Sequence, residues 1–246
     1  MKSRQHDVPV SVADAAQVAA GIVDLGLVDY ANVYDLQQRL AERRKNGLLA
    51  EDLFLLTEHP SVFTLGRRGG RENLVVSEQF LRDKDVQIVQ IERGGDITYH
   101  GPGQLVIYPI IYLKQARLSV TEYVGLLEEI MIRLAAECGV KAVRDPRNHG
   151  IWVGDKKLGS VGIAIRHGVS FHGLALNVNV DLEPFSWVNP CGLVGVKMTT
   201  LTLECGQEIT IPGVKKELNR HLTDVFGREF VPLEKDHPDV TKCENK

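Results

Sequence analysis

The stretch KKLGSVGIAIRHGVSFHGLALNVNVD, residues 156–181, holds two apolar runs, 158–165 and 169–180, separated by Arg166, His167 and Gly168. Runs of this length, rich in valine, isoleucine and leucine and spaced by glycine, are strand-like. Similar runs lie upstream at 52–57, 61–65, 86–92, 104–113 and 150–153, punctuated by Pro60 and the glycine-rich stretch 66–70. Helical spacing appears in 29–46, with Val33, Leu36 and Leu40 on one stripe and Gly47 as a stop. Ser119 followed by Glu122 has the form of a capping box opening a helix to Cys138, and a further helix is expected over 213–226, before Gly227. Residues 1–26 read as a leader, partly helical over 12–23, and 231–246 as a polar tail. The rest, 27–230, reads as one α/β domain with a mixed sheet rich in antiparallel strands.

Bulk composition narrows the function classes. The chain has 246 residues, 43% hydrophobic and 25% charged, with a formal net charge of -3. That is enough for one sizeable core, and too little positive charge to imply nucleic-acid binding. No run approaches the roughly 20 apolar residues of a membrane span. The first 26 residues lack the continuous apolar stretch of a secretory signal. The four cysteines, Cys138, Cys191, Cys205 and Cys243, form no CxxC pair, so reduced thiols and a cytoplasmic location are expected.

Three segments place glycine, polar and reactive residues where a plain core strand would not. In 93–104, RGGDITYHGPGQ, four glycines and a proline allow close backbone approach, while Arg93, Thr98, Tyr99, His100 and Gln104 supply donors and an aromatic wall. It is not a phosphate loop, because no Gly-Lys-Ser/Thr ending follows and GxGxxG lacks its third glycine. On its own it equally fits a tight hairpin connection. The second segment, 156–164, carries adjacent lysines that a strand must point to opposite faces, so at most one enters a site. The third, 170–193, ends in Asn189-Pro190-Cys191-Gly192. A cysteine in such a loop, unlike Cys138 in an amphipathic helix, ranks first as nucleophile. Its free thiol titrates near 8.5, so it needs a neighbouring cation or base. Lys157, His172 and His100 all qualify by type. A Cys191–His172–Asn177 hydrolase arrangement and a metal site from His149, His167, His172 and Cys191 can also be drawn.

Together these segments resemble the lipoyl(octanoyl) transferase family of lipoate biosynthesis. The matching stretches are LLTEHPSVFTLGRR (55–68), RGGDITYHGPGQLVIYPI (93–110), KLGSVGIAI (157–165) and SFHGLALNVNVDLEPFSWVNPCGL (170–193). The resemblance implies a lipoate/biotin protein ligase-like fold, a large mixed sheet with a smaller sheet beside it and flanking helices. It implies an acyltransferase that moves an octanoyl group from octanoyl-acyl-carrier protein through a Cys191 thioester. Acceptors would be lysines of lipoyl domains, in 2-oxoacid dehydrogenase E2 subunits and the glycine cleavage H protein. Lys157 matches the lysine that lowers the thiol's pKa. Arg93, Gly94, Gly95, Asp96, Ile97, Thr98, Tyr99 and His100 match the first substrate-binding element. Ser160, Val161 and Gly162 match the second, and Gly173, Leu174 and Ala175 the third. No cofactor, ATP or metal is expected, and the chain is expected to act as a monomer. The sequence departs from the family pattern at Gly159, where alanine is usual and glycine is expected to widen the acyl tunnel, and at Thr199-Thr200-Leu201, where Thr-Ser-Leu is usual. An arginine cluster, Arg67, Arg68 and Arg71, is a candidate docking patch for an acidic carrier protein.

Overall fold

The computed structural model describes residues 18–146, 148–189 and 196–241. In chain order the elements are β1 (Ala20–Leu27), α1 (Tyr30–Lys45), β2 (Leu53–Glu58), β3 (Val62–Leu65), α2 (Glu78–Asp83), β4 (Gln87–Gln90), β5 (Ile97–His100), β6 (Gln104–Ile110) and α3 (Val120–Glu137). There follow β7 (Val143–Arg144), β8 (Gly150–Val153), β9 (Lys156–Arg166), β10 (Val169–Asn177), β11 (Lys197–Met198), α4 (Leu201–Cys205), α5 (Ile211–Phe226), β12 (Phe230–Leu233) and α6 (Pro238–Thr241).

The large sheet runs β12-β1-β2-β6-β10-β9-β8-β7, with β11 joined to the start of β9. β1 pairs in parallel with both β12 and β2, and the pairs from β2 onward along that order are antiparallel. A smaller sheet, β4-β3-β5, stands beside it. Strand alternation divides the core into two layers. Phe54, Leu56, Leu105, Ile107, Leu174 and Leu176 face α3 and α5, while Leu53, Leu55, Val106, Tyr108 and Ala175 face α1. With both faces covered, β6 and β10 are buried along their whole length, which is why apolar residues stand on both of their faces. Each large apolar side chain taken from water there contributes about 1.5–3 kcal/mol. A third core, around Phe63, Leu65, Ile97 and Tyr99, holds the small sheet to the 182–188 segment.

The expected helices are present. α1 is capped by the Asp29 carboxylate, which accepts from Ala31 N–H at 2.9 Å. α3 opens with the Ser119–Glu122 capping box. α5 ends at Gly227 in the left-handed region. Thr200, where the family pattern has serine, caps α4 by accepting from Leu203 N–H, a role either hydroxyl fills. Two local expectations fail: the described part of the 12–23 stretch that read as helical is the strand β1 from Ala20 on, and the described part of the 231–246 tail carries the end of β12 and α6, whose Val240 is buried in the core. The parallel pairing of β1 with β2 and β12 overrides the local pattern at both ends. Among the described residues no helix is long and apolar enough to cross a membrane.

Candidate active site

A cavity, partly open to solvent, lies on the α1-facing side of β6, β9 and β10, against the 93–100 segment that leads into the small sheet. Its floor is glycine-rich because another backbone crosses it. Gly94 N–H donates to Ile163 O at 2.8 Å, tying the 93–96 loop to β9. A methyl group on Gly162 would sit 3.2 Å from Arg93 Cδ and 3.3 Å from Gly94 O. The glycines thus serve backbone-to-backbone approach first, and the space above them forms the cavity.

Of the site residues that the resemblance implies, all but Tyr99 and Cys191 line this cavity: Arg93, Gly94, Gly95, Asp96, Ile97, Thr98, His100, Lys157, Ser160, Val161, Gly162, Gly173, Leu174 and Ala175; Gln104, named beside them as a donor, does not. Tyr99 does not, because strand alternation turns it away from Thr98 and His100. Its hydroxyl meets Ser61 Oγ at 2.8 Å and its ring packs on Phe63 and Phe185. Cys191 lies outside the described residues. The nearest described cavity-lining residues on either side of it are Val188 and Val196.

Lys157 sits between β8 and β11, opposite Trp152 on one side and Met198 on the other, and is only 8% exposed. Its Nζ donates to Asn148 Oδ1 at 3.1 Å and lies 5.5 Å from the Trp152 ring centre. Lys156 points the other way and reaches Glu204 Oε1 at 2.5 Å. Two adjacent lysines on one strand therefore divide as the period of two requires.

Arg93 is buried and clamped by the small sheet, its Nη2 donating to Thr64 O at 2.7 Å and to Thr64 Oγ1 at 2.9 Å. The Asp96 carboxylate accepts from Asn73 Nδ2 and from Ile97 N–H, which casts it as a loop brace. His100 stacks on Tyr30, with ring centres 5.8 Å apart, and its Nδ1 bonds Gln104 Oε1 at 2.7 Å. His59 Nδ1 bonds Val28 O at 2.7 Å, which makes Nδ1 the donor and leaves Nε2 to accept from the Tyr108 hydroxyl at 2.8 Å.

Desolvation pushes His100 down to about 3 and His59 down to about 4, so both are neutral at the ordinary pH of a cell. In the unfolded chain they titrate near 6.5. Between that value and about 3 the unfolded chain binds more protons, so stability is full above pH 6.5 and falls as pH drops through the window. Glu92 is held down to about 2 by the His172 ring, 3.9 Å from its Oε2, and by the Tyr34 hydroxyl. Its contribution is complete above its unfolded value of 4.5. Thermal melts between about pH 7 and about pH 5 should therefore report the histidines, and His59→Gln should give a shallower decline. An identical decline in wild type and variant would contradict this.

Tyr30, Tyr108, Asn148 and His172 line the cavity as well, and only His172 had drawn attention in the sequence. It occupies a left-handed backbone conformation, with φ of 56°. The hydrolase arrangement is not assembled: Asn177 is engaged by Gln104 Nε2 and Thr199 O, away from the His172 ring. Nor do the histidines gather, since among the described residues no group of three or more His, Cys, Asp or Glu is placed to hold a metal. Gly159 corrects another expectation. A methyl there would meet Met131 Sδ at 2.7 Å and Ile151 Cγ1 at 3.2 Å, on the α3 side of the sheet, so this glycine makes room for α3 and does not widen the cavity.

Residues 29–223 match the lipoyl protein ligase A/B catalytic domain family. The octanoyltransferase of Desulfotalea psychrophila is 56% identical over 218 residues, covering 88% of this chain and 97% of its own. That of Syntrophobacter fumaroxidans is 43% identical over 211 residues, covering 86% and 92%. The chain belongs to the octanoyltransferase family. It is an acyltransferase, as the motifs implied. The fold agrees: a bi-partite lipoate protein ligase from Thermoplasma acidophilum superimposes with a TM-score of 0.71 at 15% identity, covering 92% of this chain and 91% of that one. A lipoate-protein ligase A bound with ATP gives 0.68 at 13% identity, covering 92% of each chain.

Proposed function

We propose that the chain transfers an octanoyl group from octanoyl-acyl-carrier protein to the target lysine of a lipoyl domain, by way of a thioester on Cys191. The observation that carries this reading is Lys157, a nearly buried lysine on a cavity that the family's three motif segments line together. In this mechanism the Cys191 thiol gives its proton to the Lys157 amine, and the ammonium then holds the thiolate ionised. The thiolate attacks the donor thioester, the C–S bond to the carrier arm breaks, and the departing sulfur takes the proton from Lys157. The acceptor amine, in its neutral form, attacks the acyl-enzyme. An amide bond forms, the Cys191 C–S bond breaks, and the amine's surplus proton passes through Lys157 back to the thiol. Kinetics are ping-pong. The loss of the donor thioester makes amide formation downhill without nucleotide.

A ligase that activates a free acid with ATP is the second reading, because a lipoate-protein ligase A bound with ATP shares this fold. Mass spectrometry after mixing the protein with octanoyl-acyl-carrier protein and no nucleotide separates the two. An octanoyl adduct absent in Cys191→Ser supports the transferase, whereas acylation of the lipoyl domain only with octanoate and ATP establishes the ligase. The donor would dock near Arg67 and Arg68, which are exposed, while Arg71 is engaged by Glu78. Alanine at all three positions should raise the Michaelis constant for the carrier protein and flatten its salt dependence, with most of the effect from Arg67 and Arg68. An unchanged constant at low salt would remove the docking site from this surface.

A further inference from the structure

The Lys157 ammonium carries four rotatable carbons behind it, and something must aim it. We propose that Asn148 is a positioning residue, whose side-chain carbonyl fixes the direction of the Lys157 ammonium inside the cavity. This rests on the cysteine–lysine mechanism above and adds to it the part that orients the lysine.

A lysine only 8% exposed needs acceptors for its protons, since an ammonium without them is expensive to bury. Asn148 Oδ1 supplies one at 3.1 Å, and the Trp152 ring presents its face 5.5 Å away. Both come from one short run of chain, and so does the closest wall of the lysine stem. A methyl on Gly150 would lie 3.0 Å from Lys157 Cε and 2.1 Å from Gly159 O, with φ at +132°, so only glycine lets this backbone lie along the stem.

The run is anchored from α3. Glu128, 7% exposed, accepts from Gly150 N–H at 2.9 Å and pairs with Arg144 at 3.3 Å and His149 at 3.5 Å. Arg144 also reaches Glu129 at 2.8 Å and Gly125 O at 3.1 Å. A carboxylate buried on an otherwise apolar helix face destabilises unless it is partnered, and Arg144, His149 and Gly150 all belong to the segment that presents Asn148. An asparagine at such a turn commonly bonds nearby backbone. Here its oxygen faces Lys157. An amide also suits the chemistry: it stabilises the ammonium as a hydrogen-bond acceptor, yet carries no charge to compete with a thiolate for it.

The test uses the full-length enzyme with Asn148→Leu, near in size and lacking the acceptor, and Asn148→Ala should the first fold poorly. Two quantities are measured: transfer kinetics with octanoyl-acyl-carrier protein, and the pH midpoint for iodoacetamide alkylation of Cys191. Loss of aim should lower kcat about tenfold with the carrier protein's KM little changed, and move the alkylation midpoint upward. A midpoint identical to wild type overturns the proposal, even if kcat falls, because a merely structural loop residue would leave the thiol's ionisation alone. Wild type and Lys157→Met are run beside it. If wild type shows no Cys191 adduct, or Lys157→Met leaves the midpoint unmoved, the cysteine–lysine mechanism itself fails. If those controls behave and only the Asn148 variants match wild type, the positioning role alone fails.

Discussion

Lys157→Met should lower the rate of octanoyl transfer by about 10²–10⁴-fold, the range that positioned proton transfer supplies. Methionine keeps an unbranched stem of comparable length between Trp152 and Met198, so the variant should fold. Its stability should match wild type or exceed it, since a buried cation has been removed. Lys157→Arg should fare little better, because a guanidinium neither gives up its proton near neutral pH nor fits the narrow gap beside Gly150. Single-turnover formation of the Cys191 adduct is the measurement. A variant within a few-fold of wild type would deny Lys157 a part in the chemistry.

Gly173→Ala should be among the most damaging single methyl groups in the site. Gly173 faces Gly162 across β9 and β10, and an added Cβ would stand 2.2 Å from Ile107 O and 2.7 Å from Pro109 Cδ. Both obstacles belong to β6, in the middle of the sheet, where no flexible side chain can swing aside. Forcing the strands apart costs about 3 kcal/mol. For a chain of this size that lowers the melting temperature by about 10 °C. The sheet carries the cavity, so activity should fall as well. Gly125→Ala is the control: its Cβ meets nothing within 4 Å, and alanine is the better helix former. Equal melting temperatures for the two variants would contradict the strand-crossing geometry.

What could be read from the sequence divides along physical lines. Local signals carried the helices: the Ser119–Glu122 box, the stripe of Val33, Leu36 and Leu40, and Gly227 each act within a turn or two of chain. Strand alternation likewise implied that Lys156 and Lys157 part company. β1 was not legible, because its two glycines, Gly21 and Gly26, weaken the strand pattern and its conformation comes from β2 and β12, brought from distant parts of the chain. The face on which Gly159 opens, and the turning away of Tyr99, required knowing which side of each strand looks at the cavity. Tyr30, Tyr108 and Asn148 reach the cavity from separate elements, and no motif links them along the chain.

The pairing of β1 with β12 bears on how the protein is made. On the ribosome β1 and β2 are separated by one helix and its loop, but the other flank of β1 is completed by Phe230–Leu233, synthesised long after both. Until then the nascent sheet keeps an open rail of unsatisfied amides, bordered by Ile22 and Val23, and such rails invite pairing with another chain. Stalled or truncated products ending before residue 230 should therefore be the aggregating species in a cell that overproduces this enzyme, while in the finished chain the four-residue β12 covers β1 and leaves only a short strand at that edge.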